Sequence, residues 1–533
     1  MPVMSSTRIR GTLWSMSDLF DDYGSATART RAYDEMFDAG QSVRAAYRQV
    51  EDVLGRLTLG DVSARADSMA RTFLDRGVTF DYAGEERPFP LDIVPRVIPA
   101  AEWDVLERGV AQRVQTLEAF LDDVYDTMAV VADGVVPRSL ITSSSHFHRC
   151  VAGFRPPGGV RVHVSGIDVV RDDAGCFRVL EDNVRVPSGV SYVIENRRAM
   201  AKGLPEAFNQ QDIRGVDDYP RHLLAALRKT APSSVADPTV VVLTPGVFNS
   251  AYFEHTLLAG LMGVELVEGR DLVCRANRVY MRTTAGEQRV DVIYRRVDDA
   301  FIDPLQFRSD SLLGCPGLIN AARAGNVTIA NAVGNGVADD KLIYSYLPDL
   351  IRYYRGEEPI IPNVDTFRLG EAAAREEVLD RLDELVVKPV DGSGGKGIVI
   401  GPAASREELA ALRTRILEDP RGWIAQPVLQ LSTVPTMAGD RFGPRHVDLR
   451  PFAVNDGDDV WVLPGGLTRV ALQEGSLIVN SSQGGGSKDT WVVGDGPASA
   501  IPHTAAPRPG RERISVWPIE SNARDRQDEA QQQ

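Results

Sequence analysis

Cysteine is scarce in this chain: Cys150, Cys176, Cys274 and Cys315 are the only four in 533 residues. They are too far apart to make a short-spaced thiolate metal site, so a zinc ribbon or a disulfide-stapled scaffold is excluded. Reduced thiols in a cytoplasmic protein are expected instead. Long apolar runs are missing too. No stretch approaches the roughly 18 residues a membrane-spanning helix needs, and the opening MPVMSSTRIRGTLWSMSDLF has no apolar core of signal-peptide length. Positive charge is in deficit: the formal net charge is −15, which disfavours non-specific attraction to nucleic acid or anionic membranes, so neither is expected as a partner. Internal repeats at solenoid or propeller periods are also absent.

What is present is a globular composition, 43% hydrophobic and 25% charged, in a chain too long for one simple core. Residues 1–30 are Ser/Thr/Asp-rich and read as a flexible arm. Residues 31–135 read as a helical region: SVRAAYRQVEDVLGRL and WDVLERGVAQRVQTLEAFLDDVY carry apolar stripes at helical spacing, with FPLDIVPRVIPAAEW as an extended crossing between them. From His163 the period shifts to two, and VRVHVSGIDVVRD and CFRVLEDNVRV read as strands joined by the turn DDAG, within a unit at 136–235. Residues 236–330 read as a βαβ unit, strand–loop–helix–Gly263–strand. Residues 331–495 alternate helices and strands around a glycine-rich loop, and 496–533 read as a disordered tail.

The loop lies in VVKPVDGSGGKGIVIG, residues 386–401. Three phosphate-binding patterns compete for it. A dinucleotide fingerprint requires a helix directly after the glycines, but GIVIGP is β-branched and too short. A Walker A loop requires Ser or Thr after its lysine, and Gly397 follows Lys396. A kinase loop places its strand lysine after the glycines, whereas Lys388 comes before them. What is left is a glycine hairpin between two strands, able to bring backbone N–H groups to phosphate oxygens, with Lys388 projecting a point charge. A surface hairpin without a ligand is the alternative.

In VLEDNVRV, Glu181 and Asn183 are two apart on a strand and share a face. Asp168 is on the paired strand and can reach the same face. Two carboxylates and an amide oxygen suit Mg²⁺ beside nucleotide phosphates, although a solvated polar hairpin would show the same residues. Lys341 opens a helix further on.

The order Lys341, helix, Lys388, glycine hairpin and the strand WIAQPV resembles the ATP-grasp enzymes. Because the E-x-N motif comes first rather than last, the chain resembles the circularly permuted ATP-grasp group. Within that group, VLEDNVRVPSGVSYVIENR and the opening DAGQSVRAAYRQVEDVLGRL resemble an uncharacterised bacterial branch related to the amide-ligase domain of glutathionylspermidine synthetase. The resemblance covers roughly residues 33–495. It implies an α+β and α/β fold, with a βαβ unit like the one preceding the core in ATP-grasp proteins. It further implies Asp168, Glu181 and Asn183 as Mg²⁺ ligands and Lys341 and Lys388 as ATP contacts. Gly392, Ser393, Gly394, Gly395 and Gly397 become the phosphate lid, and Gln426 the hinge contact near adenine. It also implies a late-strand arginine at the acyl phosphate, for which Arg469 comes first and Arg450 second. The arginine that the synthetase places just before its first metal carboxylate is missing, with Gly166 in its place.

The implied reaction is ATP-dependent joining of a carboxylate to an amine through an acyl phosphate, on small-molecule or peptide substrates, in a protein for which a homo-oligomer is compatible. Arg295 and Arg296 are candidates for a substrate carboxylate through bidentate pairing. Ser188 or Ser191 would cap a helix over about 188–204, whose N-terminus favours an anion, with Arg197 extending the wall. Lys488 and Asp489, in a second glycine-rich stretch, are further possible substrate contacts. A small-molecule phosphotransferase and a non-catalytic nucleotide-binding protein are the alternative activities.

Overall fold

The structure is a computed structural model that describes residues 18–20, 23, 31–82, 85–390, 397–439, 441–477, 479 and 485–494. The lid residues Gly392, Ser393, Gly394 and Gly395, residues 480–484 of the second glycine-rich stretch and the tail from 495 lie outside those residues.

At the centre is a seven-stranded sheet assembled from distant parts of the chain. Its path runs Leu91–Pro99, Gly486–Val493, Val460–Val470, Arg441–Asn455, Val164–Arg171 and Phe177–Asn183, with Thr433–Ala438 pairing a further stretch of Arg441–Asn455. All pairs are antiparallel except Leu91–Pro99 against Gly486–Val493. The extended crossing inside the expected helical region is therefore a strand of the main sheet. Seven consecutive residues of LDIVPRVIP are buried, Asp92 and Arg96 among them, so the stretch shows no in–out alternation. Its one arginine, Arg96, is 0% exposed and held bidentately by Glu35 at 2.6 and 2.8 Å.

One sheet face is covered by the helix Ala100–Val124, whose buried Trp103, Leu106, Val110, Val114, Leu117 and Leu121 repeat at three- and four-residue spacing. Part of the expected flexible arm is instead packed: Phe20 and Tyr23 are 1% exposed, against Phe37 and Phe442. Apolar rings that find an existing pocket stay in it despite polar neighbours in sequence.

The βαβ reading corresponds to a four-stranded parallel sheet in the order Thr328–Ala330, Val292–Arg295, Val240–Leu243, Glu265–Val267. Its crossover helix Tyr252–Met262 ends at Gly263 with φ 68°, a left-handed stop that glycine adopts without strain. A third unit carries the antiparallel sheet Phe367–Arg368, Trp423–Pro427, Leu385–Pro389, Val399–Ile400. Here alternation is strict. Leu385, Val387 and Ala425 face the helices Ala372–Asp380 and Arg406–Glu418 with Val378, Leu412 and Ile416, leaving Val386, Lys388 and Gln426 on the other face. The helix Arg406–Glu418 starts on a capping box of Ser405 and Glu408. Among the described residues no helix is long and apolar enough to cross a membrane.

Candidate functional site

Between the central sheet, the parallel sheet and the face bearing Lys388 lies a cavity of about 510 Å³. One end is apolar, formed by Leu180, Val364, Val386, Ile400, Leu429, Leu431, Leu477 and Val479. The middle carries Lys341, Lys388, Arg450, Arg469, Asp168, Glu181 and Asn183, and the far end Ser188, Asn249, Ser250, His255, Arg296 and Asp298.

The register of the first hairpin explains its part. Asp168 stands opposite Glu181 and Gly166 opposite Asn183 in the antiparallel pair, so the three candidate ligands share a face. Asp182 between them points away and pairs with Arg113 at 2.6 and 2.8 Å in the interior. Gly166 has a local reason: a Cβ there would come 3.0 Å from Arg450 Cδ, so the arginine side chain passes over the bare backbone.

Asp168 is gripped from two sides. Arg450 donates to it at 2.5 and 2.8 Å and Arg469 at 2.9 Å, while Arg469 also holds Asp448. Burial alone would push the Asp168 carboxyl up, but the two guanidiniums outweigh it and hold it at about 2. Glu181 is more open, with Lys341 Nζ at 3.7 Å. The Asn183 amide nitrogen is buried with no partner among the described residues. Lys341 opens the helix Lys341–Arg355, capped by Asp340, whose side chain accepts from Leu342 N at 2.9 Å.

On the opposite wall Lys388 Nζ donates to Gln426 Oε1 at 2.7 Å, and Gln426 Nε2 donates to Thr366 Oγ1 at 3.0 Å. Burial lowers the lysine from its ordinary value to about 8; Glu181 opposes that shift and Lys341 adds to it. Gly397, at the end of the glycine loop, has φ 76°.

Ten of the residues singled out from sequence thus meet at this cavity: Asp168, Glu181, Asn183, Ser188, Arg296, Lys341, Lys388, Gln426, Arg450 and Arg469. Other substrate candidates do not. Arg197 is buried against Asp489 and the carbonyls of Arg214 and Thr490. Lys488 is buried on Asp92. Arg295 is 1% exposed, bonded to backbone carbonyls and paired with Asp299 at 2.7 Å. Neither serine caps the helix, which runs Val190–Gly203 from Gly189 at φ 111° with no side-chain cap. Ser191 is buried, its backbone N–H and hydroxyl both donating to Glu254 Oε2 at 3.1 and 3.0 Å. Glu254 also accepts from Gly189 N at 2.7 Å, so the expected anion at this helix end is the protein's own carboxylate. The same Glu254 engages Arg296 at 3.1 Å, leaving that arginine on the cavity wall but already paired. His446, bonded through Nδ1 to the Leu431 carbonyl at 2.7 Å, is structural.

Sequence reasoning missed Asn249, His255, Asp298, Arg185 and Asp339, all of them on the cavity wall. The signal for the first three was their position after the first and third strands of the parallel unit, where ligands of such sheets collect.

Residues 95–471 match the family described as circularly permuted ATP-grasp type 2. An uncharacterised Mycobacterium leprae protein is 62% identical over 89% of this chain and 85% of its own length. A Synechocystis protein, also uncharacterised, is 53% identical over 86% of this chain and 97% of its own length. A Frankia casuarinae protein provisionally named glutamate–cysteine ligase 2-2 is 47% identical over 86% of this chain, which spans 53% of it. Among solved structures, a glutathione synthetase-like effector of Globodera pallida in its apo form superposes with TM-score 0.53 at 12% identity, covering 81% of this chain and 96% of that one. At that identity the likeness speaks to fold alone.

Proposed function

Because the chain belongs to the circularly permuted ATP-grasp type 2 family, we propose that it is an ATP- and Mg²⁺-dependent ligase that joins a carboxylate to an amine. The supporting observation is the convergence of Lys341, Lys388, Arg450 and Arg469 with Asp168, Glu181 and Asn183 on one cavity that has an apolar end. The name of the Frankia relative belongs to the same general class of chemistry, although this chain spans about half of that protein.

In this reading the apolar end takes the adenine, with Gln426 at the hinge. In the same reading Lys388 and Lys341 offer point charges to the phosphate chain. The donors for a metal fit Mg²⁺: a carboxylate from Glu181, the amide oxygen of Asn183, whose buried nitrogen has no partner among the described residues, and Asp168, whose oxygens also carry the hydrogen bonds of Arg450 and Arg469. Bound there, Mg²⁺ would neutralise charge on the phosphate oxygens.

The chain's own residues do the rest by position and charge. The substrate carboxylate attacks the γ-phosphorus and ADP leaves; the amine then attacks the acyl carbon, and phosphate leaves with the amide formed. Arg469 and Arg450 present fixed cations where negative charge accumulates on the transferred group. Asp168 keeps both guanidiniums aimed at the same point.

Product analysis tests the reading. A ligase turns over ATP to ADP and free phosphate with a new amide, detected by mass spectrometry. Recovery of the phosphoryl group on a stable product would replace it with a phosphotransferase.

A further inference from the structure

The far end of the cavity is built by segments that leave the carboxyl ends of two adjacent parallel strands, Val240–Leu243 and Val292–Arg295, the edge at which α/β sheets receive ligands. Most charge there is spent internally. Arg296 is compensated from behind by Glu254, with both side chains 2% exposed. His255, hydrogen-bonded to Thr244 at 2.9 Å, is kept neutral by burial and then by Arg296. One ion pair is different. Arg185 Nη1 meets Asp298 Oδ2 at 2.7 Å with side chains 24% and 22% exposed, and both line the cavity.

We propose that this pair is a subsite for a zwitterion, an α-amino acid or peptide terminus whose carboxylate docks on Arg185 and whose ammonium docks on Asp298. The identification deepens the ligase reading and rests on it, since the reacting group must then lie elsewhere on the same molecule, toward Arg450 and Arg469. Each partner has a second anchor that keeps its place when the pair opens. Arg185 Nε lies 3.5 Å from Asp339 Oδ2, and Asp298 Oδ1 accepts from Ala300 N at 3.2 Å.

Charge bookkeeping selects the ligand class. A zwitterion inserted into the pair replaces one ion pair by two and leaves no charge stranded. A ligand with a single charge satisfies one partner and leaves the other with only its longer second anchor in a partly dehydrated site, which is less favourable. Arginine adds geometry, because its planar fork accepts a carboxylate bidentately. The neutral polar groups of Asn249, Ser250 and His255 are suited to the rest of the molecule rather than to another charge.

The test is titration calorimetry of the intact protein with L-amino acids and with their N-acetyl and α-amide derivatives, with and without ATP and Mg²⁺. At least one free amino acid should bind, and blocking either its amine or its carboxylate should weaken it on the order of tenfold or more. Asp298→Asn should erase the preference for a free amine and Arg185→Gln the preference for a free carboxylate, with ATP affinity unchanged in both. The exchange Arg185→Asp with Asp298→Arg keeps an ion pair, so thermal stability should recover while amino-acid binding does not. Blocked and free forms binding equally, no amino acid binding while ATP does, or recovery of binding in the exchange would each overturn the subsite. Failure of ATP itself to bind would overturn the ligase reading separately, the calorimetry without ATP still deciding the zwitterion.

Discussion

Lys388 and Gln426 stand on neighbouring antiparallel strands, two rungs of one ladder, and share a 2.7 Å hydrogen bond on the cavity wall. Val386 lies directly across from Gln426, so the lysine reaches back along its own strand to find the amide. The ammonium is thereby held on the wall of the cavity that Val386, Lys341 and Glu181 also line.

Lys388→Ala should weaken ATP binding by about 10- to 100-fold, the worth of a charge-assisted hydrogen bond. Glu181→Ala should instead raise the Mg²⁺ concentration needed for half-maximal ADP formation. If calorimetry and a metal titration show both variants with wild-type constants, the site is misassigned.

Nucleotide affinity should depend on pH. Lys388 in the free protein loses its proton near 8, and a bound phosphate favours the charged form and raises that value. Affinity is therefore flat below about pH 8 and falls above it, by at most about tenfold per pH unit, until the raised value is passed. Lys388→Arg stays charged throughout and should remove the slope.

Arg469 joins Asp168 to Asp448. Arg469→Lys retains one charge but cannot fork between two carboxylates. It should lower turnover by about 10²- to 10³-fold while leaving ATP affinity within a few-fold of wild type. Arg469→Ala strands the buried Asp448 carboxylate and leaves Asp168 to Arg450 alone, and should cost about 3–5 kcal/mol of stability, read by urea unfolding.

Glu254 ties Arg296 to the start of the helix Val190–Gly203. Glu254→Ala should destabilise the fold by about 3–5 kcal/mol, whereas nucleotide affinity in the still-folded protein should hold. A large loss of ATP binding at full stability would instead place Glu254 in the site.

The strand lysine and the EDN triplet were legible because each is a local pattern, whereas Lys341 gained meaning only from its place in the ATP-grasp order. Alternation along a strand puts Glu181 and Asn183 on one face whatever surrounds them, and the same alternation puts Lys388 beside Val386. The substrate candidates were less legible. Arg197, Arg295 and Ser191 have the right chemistry, yet each is consumed by a neighbour: Asp489 from the far end of the chain, Asp299 at the start of the next helix, and Glu254 from another unit. The stretch Leu91–Pro99 looked like a crossing because its partner strand, Gly486–Val493, lies far along the chain.

By itself, the sequence determined local geometry and the inventory of chemistry: which residues alternate along a strand, and that carboxylate and amide side chains and two lysines occur in an ATP-grasp order. Tertiary structure alone decided which charges are available. A buried guanidinium or carboxylate must find a counter-charge, and that partner can come from any part of the chain. Only the packed molecule shows that the Arg296–Glu254 pair is buried while the Arg185–Asp298 pair keeps 24% and 22% of its side chains exposed at the cavity.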